Sequence, residues 1–462
     1  MNLVGKNAVK WIGLLLLLAA IKPINSWLRR HPGDIEKALM LMGFLPWVLD
    51  FHLYMALVSR VEWPGYLSGI EVTVLDALTL AVYLSLPRAN HLLPFRISMG
   101  LYFFAVLISV FQARYAWLPA LFYPWQLARM FLFYATVTTA CATYPRAALA
   151  LLKGMSAGLL FEAGDVLWER FALGVLQAGG TENHQNVLGM MSHFVVFPLF
   201  ALLLSRRREW WTSSGSLAGI IVQILTVSRA TVGLGLFGYV AVFLLSIARE
   251  WTSRKAVILF VSLAAVAVLA PLTLESFQKR FAVQSFGTYD ERVALEKMAS
   301  LIVSDYPMGV GADNFVIVAI VDGYSQRAGV IPNSRLAVVH NIYWLVTAET
   351  GFLGLIALLN FLVRPLMVAF VCGWRHRKDV RGDLLLGLGV SLLILYIHSL
   401  FEWVLITYQP QYFFTLELGM IAGLAQQLGY WPQSAGLLAG RPRLGLETLQ
   451  SGRARNIRYT RR

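Results

Sequence analysis

His340 and Asn341 stand side by side, and a further set of polar residues lies before them in the chain: Arg170, His184, Asn186, Arg229 and Arg292. A histidine titrates near pH 6.5, so an imidazole at position 340 suits proton transfer at neutral pH, and the Asn341 amide can orient that ring or a hydroxyl. Arginine carries a planar, permanently charged fork that holds a phosphate through two parallel hydrogen bonds. Arg229, within Ser228–Thr231, and Arg292 are therefore candidate anion binders. Arg170 follows Glu169 and is either a third anion binder or the partner of that glutamate. His184 and Asn186 belong to the polar run Thr181–Gly189, which can present amides and hydroxyls to a sugar or a phosphate. Gly309 and Gly311 make only a GxG, too little for a phosphate loop or a dinucleotide fold. Cys141 and Cys372 are the only cysteines, the nearest spacing to an acid-x-acid metal pair is Asp34–Glu36 in a connection expected to be cytoplasmic, and adjacent Asp290 and Glu291 would diverge on a helix. No metal and no other cofactor is expected.

The elements that must position these residues are membrane spans. Of 462 residues, 58% are hydrophobic and 14% charged, which excludes an ordinary soluble enzyme. A helix rises 1.5 Å per residue, so crossing ~30 Å of hydrocarbon takes about 20 apolar residues. Runs of that kind lie near 38–58, 70–86, 97–111, 120–140, 146–163, 187–204, 215–228, 230–248, 256–273, 341–371, 384–400 and 412–428. The expected fold class is all-α: a polytopic integral membrane protein with about twelve transmembrane helices. The apolar run Trp11–Ile21 has the length of a signal-peptide core or an interfacial segment, and its state stays open.

The formal charge of +14 divides by side. One alternate set of connections, together with the tail, holds 25 of the 39 Lys and Arg residues, and the short connections of the other set hold 4. Under the positive-inside rule the first set is cytoplasmic, so the excess marks orientation and not affinity for nucleic acid. The organisation expected is an N-terminal cytoplasmic or interfacial segment, 1–37; helices over 38–273; a large external loop, 274–339; helices over 340–428; and a basic cytoplasmic tail, 429–462. The limb 215–228 is short for a span, which would carry Arg229 below the outer surface, toward a wet cavity or a partner. Within the long loop, apolar spacing predicts an amphipathic helix from about Tyr289 to Val303.

These pieces resemble the O-antigen ligase and polymerase superfamily. His340–Asn341, with Gly351 and Gly354 in HNIYWLVTAETGFLG, is similar to the ligase pattern H[NSQ]x9Gxx[GTY]. Arg229 resembles the superfamily's serine–arginine motif, and Arg292, ahead of DYPMGVGADNF, resembles its loop arginine before a P-x-G-x-G-x-x-x-F stretch. The resemblance implies a GT-C-like membrane glycosyltransferase of the bacterial inner membrane, its site facing the periplasm. The donor would be a polyprenyl-diphosphate-linked glycan, and the acceptor a lipid A-core or another glycan, both presented among membrane lipids. Arg229 and Arg292 would hold the diphosphate and His340 would act as general base or orient the acceptor, with inversion and without a metal. An arginine followed eleven residues later by glycine, typical of polymerase loops, does not occur after Arg229, Arg280, Arg292, Arg327 or Arg335, which favours ligase over polymerase. A transporter would line its path with similar arginines, but no internal repeat is visible. An acyltransferase pairing histidine with asparagine would need a cytoplasmic donor.

Overall fold

The computed structural model describes residues 3–48, 52–59, 61–87, 93–205, 209–283, 287–403 and 406–431. Arg206–Arg208 and the tail beyond Trp431 lie outside the described residues. The first part of the chain forms α1 (Leu3–Arg30), α2 (Asp34–Val48), an antiparallel hairpin of β1 (His52–Ala56) and β2 (Gly69–Thr73), α3 (Val74–Ser85), α4 (Arg96–Ser109), the single turn α5 (Trp117–Ala120), α6 (Phe122–Thr143), α7 (Ala147–Phe171), α8 (Gln185–Leu204), α9 (Trp210–Leu225) and α10 (Arg229–Arg249). The rest forms α11 (Ser253–Val283), α12 (Gly287–Asp305), the short α13 (Phe315–Val321) and α14 (Tyr324–Arg327), α15 (Ile342–Arg375), α16 (Val380–His398) and α17 (Tyr408–Gln427). Among the described residues, six helices are long and apolar enough to cross a membrane: Val9–Arg30 of α1, then α7, α8, α10, α15 and α16. The chain is a helical, multi-pass membrane protein.

Close helix pairs build the bundle: α6 lies along α17, α2 along α7, and α8 along α16. Small residues permit the approach. A Cβ at Gly154 of α7 would sit 1.8 Å from the Met40 carbonyl, and one at Gly43 of α2 would sit 2.2 Å from that of Leu151, so these backbones touch where any side chain would hold them apart. Helix α8 is almost wholly buried and forms the centre, with Phe194, Phe197 and Leu199 fully enclosed.

The structure departs from the sequence expectation at the 38–58 and 256–273 spans, and it shows the state of the N-terminal run that the sequence left open. The span expected at 38–58 ends at Val48, and His52–Ala56 is instead a strand paired with Gly69–Thr73, in register His52 to Thr73 and Ala56 to Gly69. An apolar run of this composition serves a strand as well as a span, and the pairing depends on Gly69, where a Cβ would lie 1.8 Å from the Met55 carbonyl. Helix α11 runs ten residues beyond the expected span end at 273, into the expected loop. The N-terminal apolar run extends into the single helix α1, because Lys10 and Lys22 flank it without breaking it.

Arg129, isolated within an expected span, proves to be the centre of a buried network. Its guanidinium meets Asp76 at 2.8 Å and Glu71 at 3.2 Å, and it also donates to the Tyr412 hydroxyl. Thr73 and Asp76 complete a reciprocal cap on α3, and Tyr412 donates to Asp76 at 2.9 Å, so the hairpin, α3, α6 and α17 are joined through one arginine.

Candidate active site

Glu402 gathers the polar residues at one end of the bundle. It lies in the turn between α16 and α17 with its side chain 2% exposed, and Oε1 accepts hydrogen bonds from Arg292 Nη2 at 3.1 Å and from Asn186 Nδ2 at 2.9 Å. Oε2 faces Nδ1 of His340 at 3.5 Å, an ion-pair distance at the outer limit of hydrogen bonding. The His340 ring is stacked on Trp403 with centroids 4.1 Å apart, and Trp403 Nε1 donates to the Val339 carbonyl at 2.9 Å. The indole thus fixes the imidazole plane from one side while the carboxylate fixes its azimuth. A carboxylate accepts and does not donate, so it favours the tautomer protonated at Nδ1 and leaves Nε2 as the basic nitrogen.

Burial alone would raise the Glu402 carboxyl above its usual value. The hydrogen bond and charge of His340, then the charges on Arg292 and His398, outweigh that and hold it below. A carboxylate with a depressed folded value contributes stability that is complete above its unfolded value, here 4.5, and is lost as pH falls through the lowered folded value. The melting-temperature gap between wild type and Glu402→Gln should therefore be widest above pH 4.5 and close as the medium is acidified further. Thermal melts of both proteins in lipid nanodiscs at a series of pH values test this, and a gap that widens on acidification would contradict it.

The two glycine motifs turn out to be one structural device. Helix α15 breaks at Gly351, whose φ of 70° and ψ of −176° are not helical. A helix break orphans carbonyls on its N-terminal side, and the loop after α12 takes them up: Val310 N donates to Ala348 O at 3.0 Å and Gly311 N to Glu349 O at 2.9 Å. In return Phe352 N donates to the Pro307 carbonyl at 3.2 Å. The pairing ties the loop that follows Arg292's helix to the helix that begins after His340.

A segment from the first half of the chain secures this junction. Asp313, with φ 57°, accepts from Trp63 Nε1 at 2.8 Å and Leu67 N at 3.0 Å, and Glu349 accepts from Tyr66 Oη at 2.8 Å and Phe315 N at 3.3 Å. Burial, and then the neighbouring Glu349, push the Asp313 carboxyl well above its usual value despite those donors. Trp63→Phe keeps an aromatic side chain, though a smaller one, and removes one donor from a buried oxygen, and should lower thermal stability by about 1–3 kcal/mol. Circular-dichroism melts in detergent measure this, and an unchanged midpoint would contradict it.

The other residues singled out from the sequence take the following places. Asn341 is the N-cap of α15, its Oδ1 accepting from Tyr343 N at 3.1 Å and Trp344 N at 3.3 Å, while Nδ2 donates to Glu296 at 3.3 Å. Its amide is thus engaged in setting the start of the helix beside His340. His184 caps α8 by accepting from Val187 N at 3.4 Å, which sets the helix start and brings Asn186 onto Glu402. Arg170 donates to the Leu176 carbonyl at 3.0 Å while Glu169 accepts from Gly179 N at 2.8 Å, so these neighbours staple the loop after α7. Arg229 opens α10 and is exposed, with Ser228 as the N-cap. Gly189 of α8, three residues beyond Asn186, packs against Thr231 of α10, which brings the Arg229 end of α10 to the Asn186 end of α8. The structure thus joins Asn186, Arg292 and His340 through Glu402.

Glu402 is the residue that sequence reading missed. The available signal was a single acid, flanked by Phe401 and Trp403, in a connection holding no basic residue. Beside the cluster, a groove of about 580 Å³ runs from Asn341 between α12 and α15, lined largely by apolar side chains including Val303, Pro307, Tyr343, Trp344 and Phe352.

The fold and site define a multi-pass helical membrane protein with a buried carboxylate that orients a histidine and an arginine. Residues 214–359, which hold Arg229, Arg292, His340 and the Gly351 break, match the family model described as O-antigen ligase. That segment is similar to the O-antigen ligase family, whose members are glycosyltransferase-like enzymes of ligase and polymerase type. No curated protein matches the sequence.

Proposed function

We propose that this protein is a ligase-type glycosyltransferase that moves a glycan from polyprenyl diphosphate to a hydroxyl of lipid A-core, with inversion and without a metal. The observation that carries this reading is the convergence of Arg292 and His340 on Glu402. A sugar on diphosphate has a good leaving group, so the chemistry needs an anion binder and a base for the acceptor hydroxyl. Arg292 spends one nitrogen on Glu402 and, at 39% side-chain exposure, keeps the rest of its fork for the diphosphate. Arg229 at the start of α10 is the second anion binder in this reading, and its position at a helix N-terminus adds favourable backbone dipoles. His340, held by Glu402 and Trp403, directs Nε2 toward the acceptor. The apolar groove at Asn341 suits the polyprenyl chain of a donor whose diphosphate lies at the cluster.

The layout proposed with it is twelve spans in a GT-C-like arrangement in the bacterial inner membrane, the Glu402 end facing the periplasm. The sorting of basic residues, 25 against 4, supports that orientation. The test is incubation of purified protein with lipid-diphosphate-linked glycan and lipid A-core, for wild type and His340→Ala. New glycosylated lipid A-core from wild type alone is the expected product. Lengthening of the donor chain would indicate polymerase, and movement of glycan across vesicles without a new bond would indicate transport. Transfer should also persist in EDTA, and loss of transfer in chelator with recovery in magnesium would overturn the metal-free scheme.

A further inference from the structure

Behind Glu402 lie two imidazoles for which the proposed reaction has no task. His193 on α8 and His398 at the end of α16 are both 0% exposed, with ring centroids 5.6 Å apart. Nε2 of His193 lies 3.2 Å from the Thr231 carbonyl. A carbonyl only accepts, so Nε2 carries the proton and Nδ1 is a bare acceptor. That Nδ1 and both ring nitrogens of His398 are buried and make no hydrogen bond to protein among the described residues, and buried Oε2 of Glu402 has only the long 3.5 Å contact with His340, which leaves it room for a further donor. His398 and Glu402 are adjacent: Phe401 N donates to the His398 carbonyl at 2.9 Å, folding the chain back at the end of α16. The charged and titratable groups that face His398 are Glu402 from that turn, Arg292 from α12 and His193 from α8.

Buried polar atoms without protein partners are satisfied by internal water, which requires two to four polar contacts. Adjoining imidazoles linked by water pass protons, because each ring accepts at one nitrogen and donates from the other. We propose that His398 and His193, with water held against Oε2 of Glu402, form a buried chamber that receives the proton taken from the acceptor hydroxyl. The inference rests on the transfer reaction proposed above. In that reaction the acceptor oxygen bonds to the anomeric carbon while the bond from that carbon to the diphosphate oxygen breaks. The electron pair leaves on the diphosphate, and the hydroxyl proton passes to His340. From there it moves across the water at Glu402 to His398 and is shared with His193, which frees His340 before the products depart.

Two measurements on the full chain in lipid nanodiscs test the chamber. With histidine-selective ¹⁵N labelling, and His193→Gln and His398→Gln for assignment, the buried ring N–H groups should exchange with D₂O within minutes and the two residues should titrate together. Protection lasting days would overturn the proposal whatever the enzyme's activity. In the transfer assay, His398→Gln, which can bind water but cannot take up a proton, should lower kcat by about tenfold and leave the donor KM within about twofold. Rising concentrations of a small buffer such as imidazole should restore the rate. An unchanged kcat, or a loss that buffer does not restore, would overturn the proton role, since a merely structural histidine has no reason to respond to buffer. Fast exchange in a wild-type protein that transfers no glycan would remove the reaction and leave the hydrated chamber standing.

Discussion

Glu402→Gln should lower the glycan transfer rate by about 10³- to 10⁴-fold while the protein still folds, although the two side chains differ in one atom. The reason lies in which groups already occupy each oxygen. Arg292 Nη2 and Asn186 Nδ2 both donate to Oε1, so a glutamine at 402 must keep its carbonyl oxygen there to satisfy both. Its NH₂ then replaces Oε2 and points at Nδ1 of His340, 3.5 Å away in the native arrangement. An amide donor at that place demands a bare Nδ1, which moves the ring proton to Nε2 and leaves no base toward the acceptor. Glu402→Asp keeps the charge on a shorter arm and should fall between the two. Initial rates of transfer from lipid-diphosphate-linked glycan decide the matter. A loss smaller than about fivefold in Glu402→Gln would show that the carboxylate does not set the His340 tautomer, because a wrong tautomer costs far more. The donor KM should change less than kcat, since in the proposed reaction Arg292 keeps its remaining donors for the diphosphate.

The sequence made the members of this cluster visible one at a time, for reasons that also explain what it hid. His340, Arg229 and Arg292 stand out because a charged or titratable side chain in a strongly apolar chain is costly and conspicuous, and Asn341 stands out as the amide beside His340. Glu402 is no less unusual, yet a topological reading weighs only Lys and Arg, and its connection drew attention for having none. The amphipathic helix expected from Tyr289 to Val303 lies within α12, Gly287–Asp305, because a helix half on protein and half in water has a readable period. The strand at His52–Ala56 was hidden since so short an apolar run serves a strand as well as the end of a span. Arg129 could be located within an apolar stretch, but its partners, Glu71 on β2 and Asp76 on α3, come from two other elements, and pairing between elements has no local signature. The same limit applied to Gly309 and Gly311. They made only a GxG with no visible task because the helix break they serve lies some forty residues further along the chain.

That distant pairing leads to the second large effect, which concerns the fold. Gly351→Ala should cost several kcal/mol and give little folded protein, although alanine is the better helix former. Two separate penalties combine. With φ 70° and ψ −176° the residue occupies backbone space that is essentially reserved for glycine, and a Cβ there would stand 2.5 Å from the Met308 carbonyl carbon and oxygen. Alanine would drive residue 351 toward helical angles and straighten α15. The carbonyls of Ala348 and Glu349 would then return to their own helix, and the amides of Val310 and Gly311 would lose their acceptors. Gly309→Ala meets the same fate from the other side, with φ 93° and a Cβ 2.5 Å from the Glu349 carbonyl. Gly329→Ala provides the control within the same connection: its φ is 78°, but nothing lies within 4 Å of an added Cβ. It should lose only about 1 kcal/mol, the cost of the left-handed backbone alone. Folded yield from detergent, melting temperature and limited proteolysis between α12 and α15 separate the three variants. If all three lose the same small amount, the loop and the broken helix do not hold each other, and His340 and Arg292 must be brought to Glu402 by other contacts. If Gly351→Ala and Gly309→Ala fail together while Gly329→Ala folds, the glycine motifs act as a joint that positions His340 and Arg292 from a distance.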